Sequence, residues 1–210
     1  TVRQAALKAR KQVRFVLEGG LRVLHHRRTG LPHVALNPRS LADVRADILT
    51  VGRLLGAAAR AERLVESLQA RMDAVARACA AADPPLRVYW EWWPRPLIVP
   101  GRQSWISEMC RLVGARQVFE DLDAASRPVA PAEVLARDPD AIVICWCGSL
   151  QRVQDAAQVR RRPGWERVRA VRAGRIYPVP EELFGRPGPR LVEGLEMLAF
   201  LLRGYRPEEG

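Results

Sequence analysis

Apolar positions change period along the chain. Behind the turn Asn37-Pro38-Arg39-Ser40, residues Leu41, Val44, Ile48, Val51 and Leu55 recur at spacings of three and four. That spacing predicts a helix with Ser40 as its N-cap and Gly56 at its end. A second stripe of Leu64, Val65, Leu68, Met72, Val75 and Cys79 predicts one long helix over 58–82, about 37 Å at 1.5 Å per residue. Leu64, Leu68, Met72 and Val75 form its packing face. Pro84-Pro85 stops it, because a residue preceding proline is biased away from the helical region.

Beyond Pro85 two periods alternate. Short β-branched or aromatic runs predict strands over 87–92, 117–119, 141–145 and 175–179, and helical patterns predict helices over 105–112, 131–136, 153–159, 165–171 and 189–203. Pro94 and Pro96 end the first strand, and Pro131 takes the first turn of its helix. The continuous Ile142-Val143-Ile144 run implies a strand buried on both faces. Alternation of this kind makes a parallel sheet with helices on both sides, an α/β, Rossmann-like lobe. Ahead of it, residues 33–36 read as a strand, 2–13 as a basic helix and 21–26 as a short strand. The expected division is 1–40 as the remnant of an N-terminal lobe, 41–84 as linking helices and 85–206 as the C-terminal α/β lobe.

Open parallel sheets bind ligands beyond the carboxyl ends of their strands, which selects the loops 92–104, 146–151 and 180–187. Four of the six tryptophans, Trp90, Trp92, Trp93 and Trp105, fall within 86–105 beside the single carboxylate Glu91. The second loop adds Trp146 and Gly148, and the third adds Glu181, Glu182, Phe184 and Arg186. Flat apolar faces bunched at a strand end, with few charges, describe the wall of a cleft for something broad and planar. The ligand-facing set is Trp90, Trp92, Trp93, Trp105, Trp146, Phe184 and Arg186. A strand has period two, so Trp90 and Trp92 share one face and Glu91 and Trp93 the other. One pair is expected to line the cleft and the other to pack against helices.

Composition removes several alternatives. The net charge of +11 raises nucleic acid as a partner, but Lys8 and Lys11 are the only lysines. The arginine excess runs through the whole chain, and clusters such as Arg160-Arg161-Arg162 are expected to be solvated faces. No zinc-finger or RNA-binding signature accompanies them, so no nucleic acid is expected. No apolar run of about 18 residues spans a membrane, and the opening TVRQAALKARKQVRF has no apolar signal core. That opening starts on Thr1 rather than Met, as a fragment or processed product does.

Cys79 and Cys110 sit on apolar helical faces as small core residues. Cys145 and Cys147 alone do not complete a tetrahedral site, and are expected to be reduced and metal-free. His25, His26 and His33 lack partners at ligand spacing. No nucleophile elbow, Walker loop or dinucleotide fingerprint occurs, and no histidine follows His33. Binding is therefore the expected class, with no catalytic residue, catalytic cofactor or structural metal.

Taken in order, the stretch 34–38, Ser40-Leu41, the long helix, Arg87-Val88-Tyr89, Gly101 with Ser104, the run 134–144 (VLARDPDAIVI), Trp165 with Val171, and Arg186-Pro187-Gly188-Pro189-Arg190 resemble the cobalamin-binding type of helical-backbone substrate-binding proteins, which feed ABC importers. The resemblance spans about residues 33–203. It implies two sheet-containing lobes joined by a long helix, cobalamin or a related corrinoid held between them, and a monomer docking on a permease at an extracytoplasmic, periplasmic or membrane-anchored location. A cytoplasmic location is the alternative where no signal peptide is seen. A haem or iron-siderophore binder of the same fold, or a truncated homologue that binds nothing, is the other reading. Two departures stand out. The residues before His33 are fewer than the family's first lobe uses, and the docking carboxylate of the second lobe matches Ala132, with Glu133 one residue later.

Overall fold

The computed structural model describes residues 13–16, 22–25, 32–80, 84–146 and 155–207. The chain divides into two compact units, Thr1–Asn37 and Pro38–Gly210. In the first, β1 (Val13–Val16), β2 (Arg22–His25) and β3 (Pro32–Val34) form an antiparallel sheet in that order. The strand expected near 21–26 is β2. The helix expected over 2–13 falls almost wholly outside the described residues.

The second unit opens with α1 (Leu41–Leu54) and α2 (Ala58–Cys79). Ser40 caps α1: its hydroxyl accepts the Asp43 N–H at 2.9 Å, and the Asp43 carboxylate accepts the N–H groups of Arg39 and Ser40. That arrangement satisfies two donors a helix start leaves orphaned, those of Ser40 and Asp43. The 22 residues of α2 extend about 33 Å. Its buried face is Ala61, Leu68, Met72, Val75 and Cys79. Leu64, expected in that stripe, is 39% exposed; α1 and the last helix of the chain cover α2 on a line that passes beside it. Arg71 of α2 grips Glu196 through Nε and a terminal nitrogen at 2.8 and 2.6 Å, a two-pronged bond of the strong kind.

Strands β4 (Leu86–Glu91), β7 (Ala115–Gln117), β9 (Ala141–Ile144) and β10 (Ile176–Pro178) make a parallel sheet in the order β10-β9-β4-β7. Between them come β5 (Trp93–Pro94), β6 (Leu97–Pro100), α3 (Trp105–Leu112), β8 (Ser126–Val129) and α4 (Pro131–Arg137). Then follow α5 (Ala156–Arg160), a 3-10 turn (Trp165–Arg167), α6 (Arg169–Arg172), α7 (Glu181–Phe184) and α8 (Leu191–Arg203). The α/β parallel-sheet fold read from the sequence is the observed one.

Alternation along the central strands divides the core in two. Val88 and Trp90 of β4, with Ala141 and Val143 of β9, pack with α1, α2, α3 and α8. Tyr89, Ile142 and Ile144 pack on the other side with Val134 of α4, Val159 of α5, and Trp165. Both faces of β9 are buried.

Three local readings needed correction. The strand placed at 117–119 lies at Ala115–Gln117, because Gly114, at φ 64°, closes α3 and the chain extends at once. The helix placed over 165–171 is a 3-10 turn followed by one turn of α6, broken at Val168, whose ψ is 132°. The stretch 93–100, read as loop, is a hairpin of β5 and β6 that adds β8 in a second, antiparallel sheet. Pro94 and Pro100 sit at the ends of these short strands, where a missing N–H is tolerated.

Gly101 leaves that sheet through a gap no side chain fits. A Cβ there would lie 2.4 Å from the Ala124 carbonyl oxygen and 2.7 Å from that of Leu122. Gly101→Ala is expected to lower the unfolding free energy by about 1–3 kcal/mol. A urea midpoint equal to the parent's would mean the 122–125 backbone yields freely.

Candidate functional site

The carboxyl ends of β4, β9 and β10 bring the sequence-selected residues to one edge of the sheet. Burial then sorts them. Trp90 is fully buried, its ring 5.2 Å from that of Phe184, which is buried too. Trp146, just past β9, is 1% exposed. Trp92, Trp93, Trp105 and Arg186 are only partly covered. The Trp92 and Trp105 rings stand 6.0 Å apart, and the Trp105 indole donates to the Phe184 carbonyl at 2.8 Å. Arg186 lies 3.8 Å from Glu181 with most of its side chain in solvent.

Trp90 and Trp92 do share one face of β4, and Trp93 packs toward the other core. The division is not one pair in the cleft and one in the core, however. Helices cover both faces of β4 up to Glu91, so each face has a buried member and a half-covered one beyond the strand end. The indole N–H groups of Trp90 and Trp92 are buried without an acceptor among the described residues. Trp93 donates to the Arg95 carbonyl at 3.0 Å.

At the centre of the edge lies Glu91, fully buried. One carboxylate oxygen accepts the Trp146 indole N–H at 2.9 Å and a terminal N–H of Arg162 at 2.7 Å. The other accepts the Tyr89 hydroxyl at 2.9 Å and the second terminal nitrogen of Arg162 at 2.5 Å. The Arg162 guanidinium also stacks over the Trp165 ring, 4.6 Å from its centre. Burial works against the charge of Arg162, but the bonds and charge of Glu91 outweigh it and raise its pKa. Burial, then Glu91, pushes the Tyr89 hydroxyl well above its ordinary value. A buried carboxylate must find donors and a countercharge, so Glu91 in an apolar strand carried the signal for a distant cation. Arg162 was the missed partner. Its place in Arg160-Arg161-Arg162 suggested a solvated face, whereas its side chain is 17% exposed.

Cys79, Cys110 and Cys145 are buried, and burial pushes the Cys110 thiol up to about 12. Cys147 and Gly148 lie outside the described residues. Among those described, no group of three His, Cys, Asp or Glu side chains could hold a metal, and no helix is long and apolar enough to cross a membrane. Glu133 accepts the Ala130 N–H at 2.9 Å and stands 3.6 Å from Arg127.

Residues 25–183 match the family model described as periplasmic binding protein. The chain belongs to the periplasmic binding protein family. Among its relatives is the uncharacterized ABC transporter substrate-binding lipoprotein YvrC of Bacillus subtilis (strain 168). The two are 29% identical over 164 residues, 77% of this chain and 50% of YvrC. The vitamin B12-binding protein of Pectobacterium atrosepticum is 26% identical over 166 residues, 77% of this chain and 56% of its own. Among solved structures, the periplasmic heme-binding protein RhuT from Roseiflexus sp. RS-1, in apo form, superposes with a TM-score of 0.68 at 25% identity, covering 78% of this chain and 63% of that one. This periplasmic binding protein thus spans about half the length of the curated relatives it matches.

Proposed function

We propose that this chain is the substrate-binding component of an ABC importer, works outside the cytoplasm as a monomer, and captures cobalamin or a related corrinoid at the carboxyl edge of its parallel sheet. One observation carries the ligand reading: Trp92, Trp93 and Trp105 present half-covered aromatic faces at that edge, with one buried, neutralised ion pair behind them. Corrin is broad and apolar with an amide rim, so aromatic walls and a few fixed donors suit it. The relationship to a vitamin B12-binding protein supports the same choice. Binding, not catalysis, is the role, and the next partner in sequence is a permease that receives the ligand.

A second reading, a haem or iron-siderophore binder, is supported by the likeness to a heme-binding protein. No histidine lies in residues 38–210, so an iron held by residues of that unit alone would need a ligand other than imidazole. Titration of the purified chain with cyanocobalamin, followed by tryptophan emission, tests the choice. Saturable quenching is expected, with haemin and ferric hydroxamates giving weaker responses. Saturation by haemin or a ferric hydroxamate in preference to cyanocobalamin would replace the corrinoid reading. No response to any of them would mark a chain that binds nothing by itself.

A further inference from the structure

Arg162 is held at the ligand-facing edge in a way that fixes what it can recognise. Its guanidinium spends one N–H of each terminal nitrogen on the Glu91 carboxylate, at 2.5 and 2.7 Å. One face of the group lies on the Trp165 ring. Three of the five guanidinium N–H groups are not spent on Glu91, and 17% of the side chain is still exposed. Because Glu91 ends the central strand β4, the fork bonded to it stands at the same strand-end edge as Trp92 and Trp93.

We infer that this edge selects amide-rimmed ligands over carboxylate-rimmed ones, with Arg162 as the donor and Glu91 as the residue that positions and neutralises it. The step rests on the corrinoid reading above and narrows it. A lone arginine attracts carboxylates. Arg162 is not alone: the pair with Glu91 carries no net charge, so an approaching carboxylate meets the fork's N–H groups and, directly behind them, a like charge. An amide carbonyl meets the same donors without that repulsion. Glu91 also accepts the indole N–H of the buried Trp146, so the same carboxylate ties the donor at the edge to the core behind it.

Two forms of one ring system separate the alternatives. Dicyanocobinamide keeps the corrin side-chain amides, and dicyanocobyrinic acid carries carboxylates in their place. Affinities are measured at about 0.5 M salt, where the general pull of a cationic protein on an anion is screened to a few ångströms. The parent is expected to bind dicyanocobinamide at least tenfold more tightly. Glu91→Gln leaves Arg162 without its countercharge, and the preference is expected to fall at least tenfold or reverse. Should that variant not fold, Arg162→Gln serves instead: dicyanocobinamide binding is expected to weaken at least tenfold while the acid stays weak. Equal or tighter binding of the acid by the parent overturns the inference and leaves the corrinoid reading standing. So does a folded Glu91→Gln variant with the parent's preference. Failure of the parent to bind either compound ends both.

Discussion

Arg162→Ala is expected to lower the unfolding free energy by about 3–5 kcal/mol, the range for removing one partner of a buried ion pair. The reason is asymmetric. Glu91 has no exposure at all, so without the guanidinium its charge keeps, among the described residues, only the Tyr89 hydroxyl and the Trp146 indole as donors. Desolvation of a carboxylate costs more than two neutral donors return. The comparison that isolates this effect is Arg160→Ala, at an exposed neighbour. A surface arginine of that kind is expected to change stability by less than about 0.5 kcal/mol. Equal urea midpoints for the two variants would mean that the Glu91 fork contributes nothing, and that the arginine run is the solvated face its composition suggests.

Trp92→Ala is expected to weaken cyanocobalamin binding about thirtyfold, equivalent to roughly 2 kcal/mol for a buried aromatic anchor. Trp105→Ala is expected to act in the same direction. The two rings stand 6.0 Å apart and share one surface, so the double variant should lose less than the sum of the single losses. Trp90→Ala separates packing from binding. Its ring is wholly enclosed against Phe184, and truncation is expected to cost about 3–5 kcal/mol of stability. If alanine at Trp92, Trp93, Trp105 and Arg186 in turn left affinity at the parent value, the aromatic edge would be a feature of the fold and not of the site.

The elements legible in the sequence were those whose ends carry local chemistry. Ser40 before Leu41 and Gly56 after Leu55 bound α1, and the structure shows the Ser40 hydroxyl accepting the Asp43 N–H and Gly56 at positive φ. Pro131 marks the start of α4, and the Ile-Val-Ile run marks a doubly buried strand. The β5–β6 hairpin is not legible because strands of two and four residues carry almost no period, and the prolines that punctuate it read as breakers. Leu64 was misplaced because the helical spacing admits two adjoining stripes, and only the helices packed on α2 choose between them.

In the site, residue types were visible and their environments were not. Four tryptophans near one strand end marked the edge, but whether a ring faces solvent depends on layers supplied by other parts of the chain. Trp90 and Phe184 became core because each is the other's neighbour across 94 positions of sequence. The Glu91–Arg162 pair joins residues 71 apart, and nothing local distinguishes Arg162 from Arg160 or Arg161. A buried acid demands a cation, but it does not say which of many arginines will answer.

A crystal structure of the chain grown with cyanocobalamin tests the central claim most directly, because it reports which surface the corrin occupies. The expected result places the corrin ring at the carboxyl edge of the parallel sheet, within about 4 Å of the Trp92, Trp93 or Trp105 ring. Corrin density against the opposite end of the sheet, in the cavity of about 210 Å³ lined by Leu86, Ala141, Arg175, Tyr177, Leu202 and Arg203, or in the groove between α1 and α2 beside Leu49 and Val65, would contradict it.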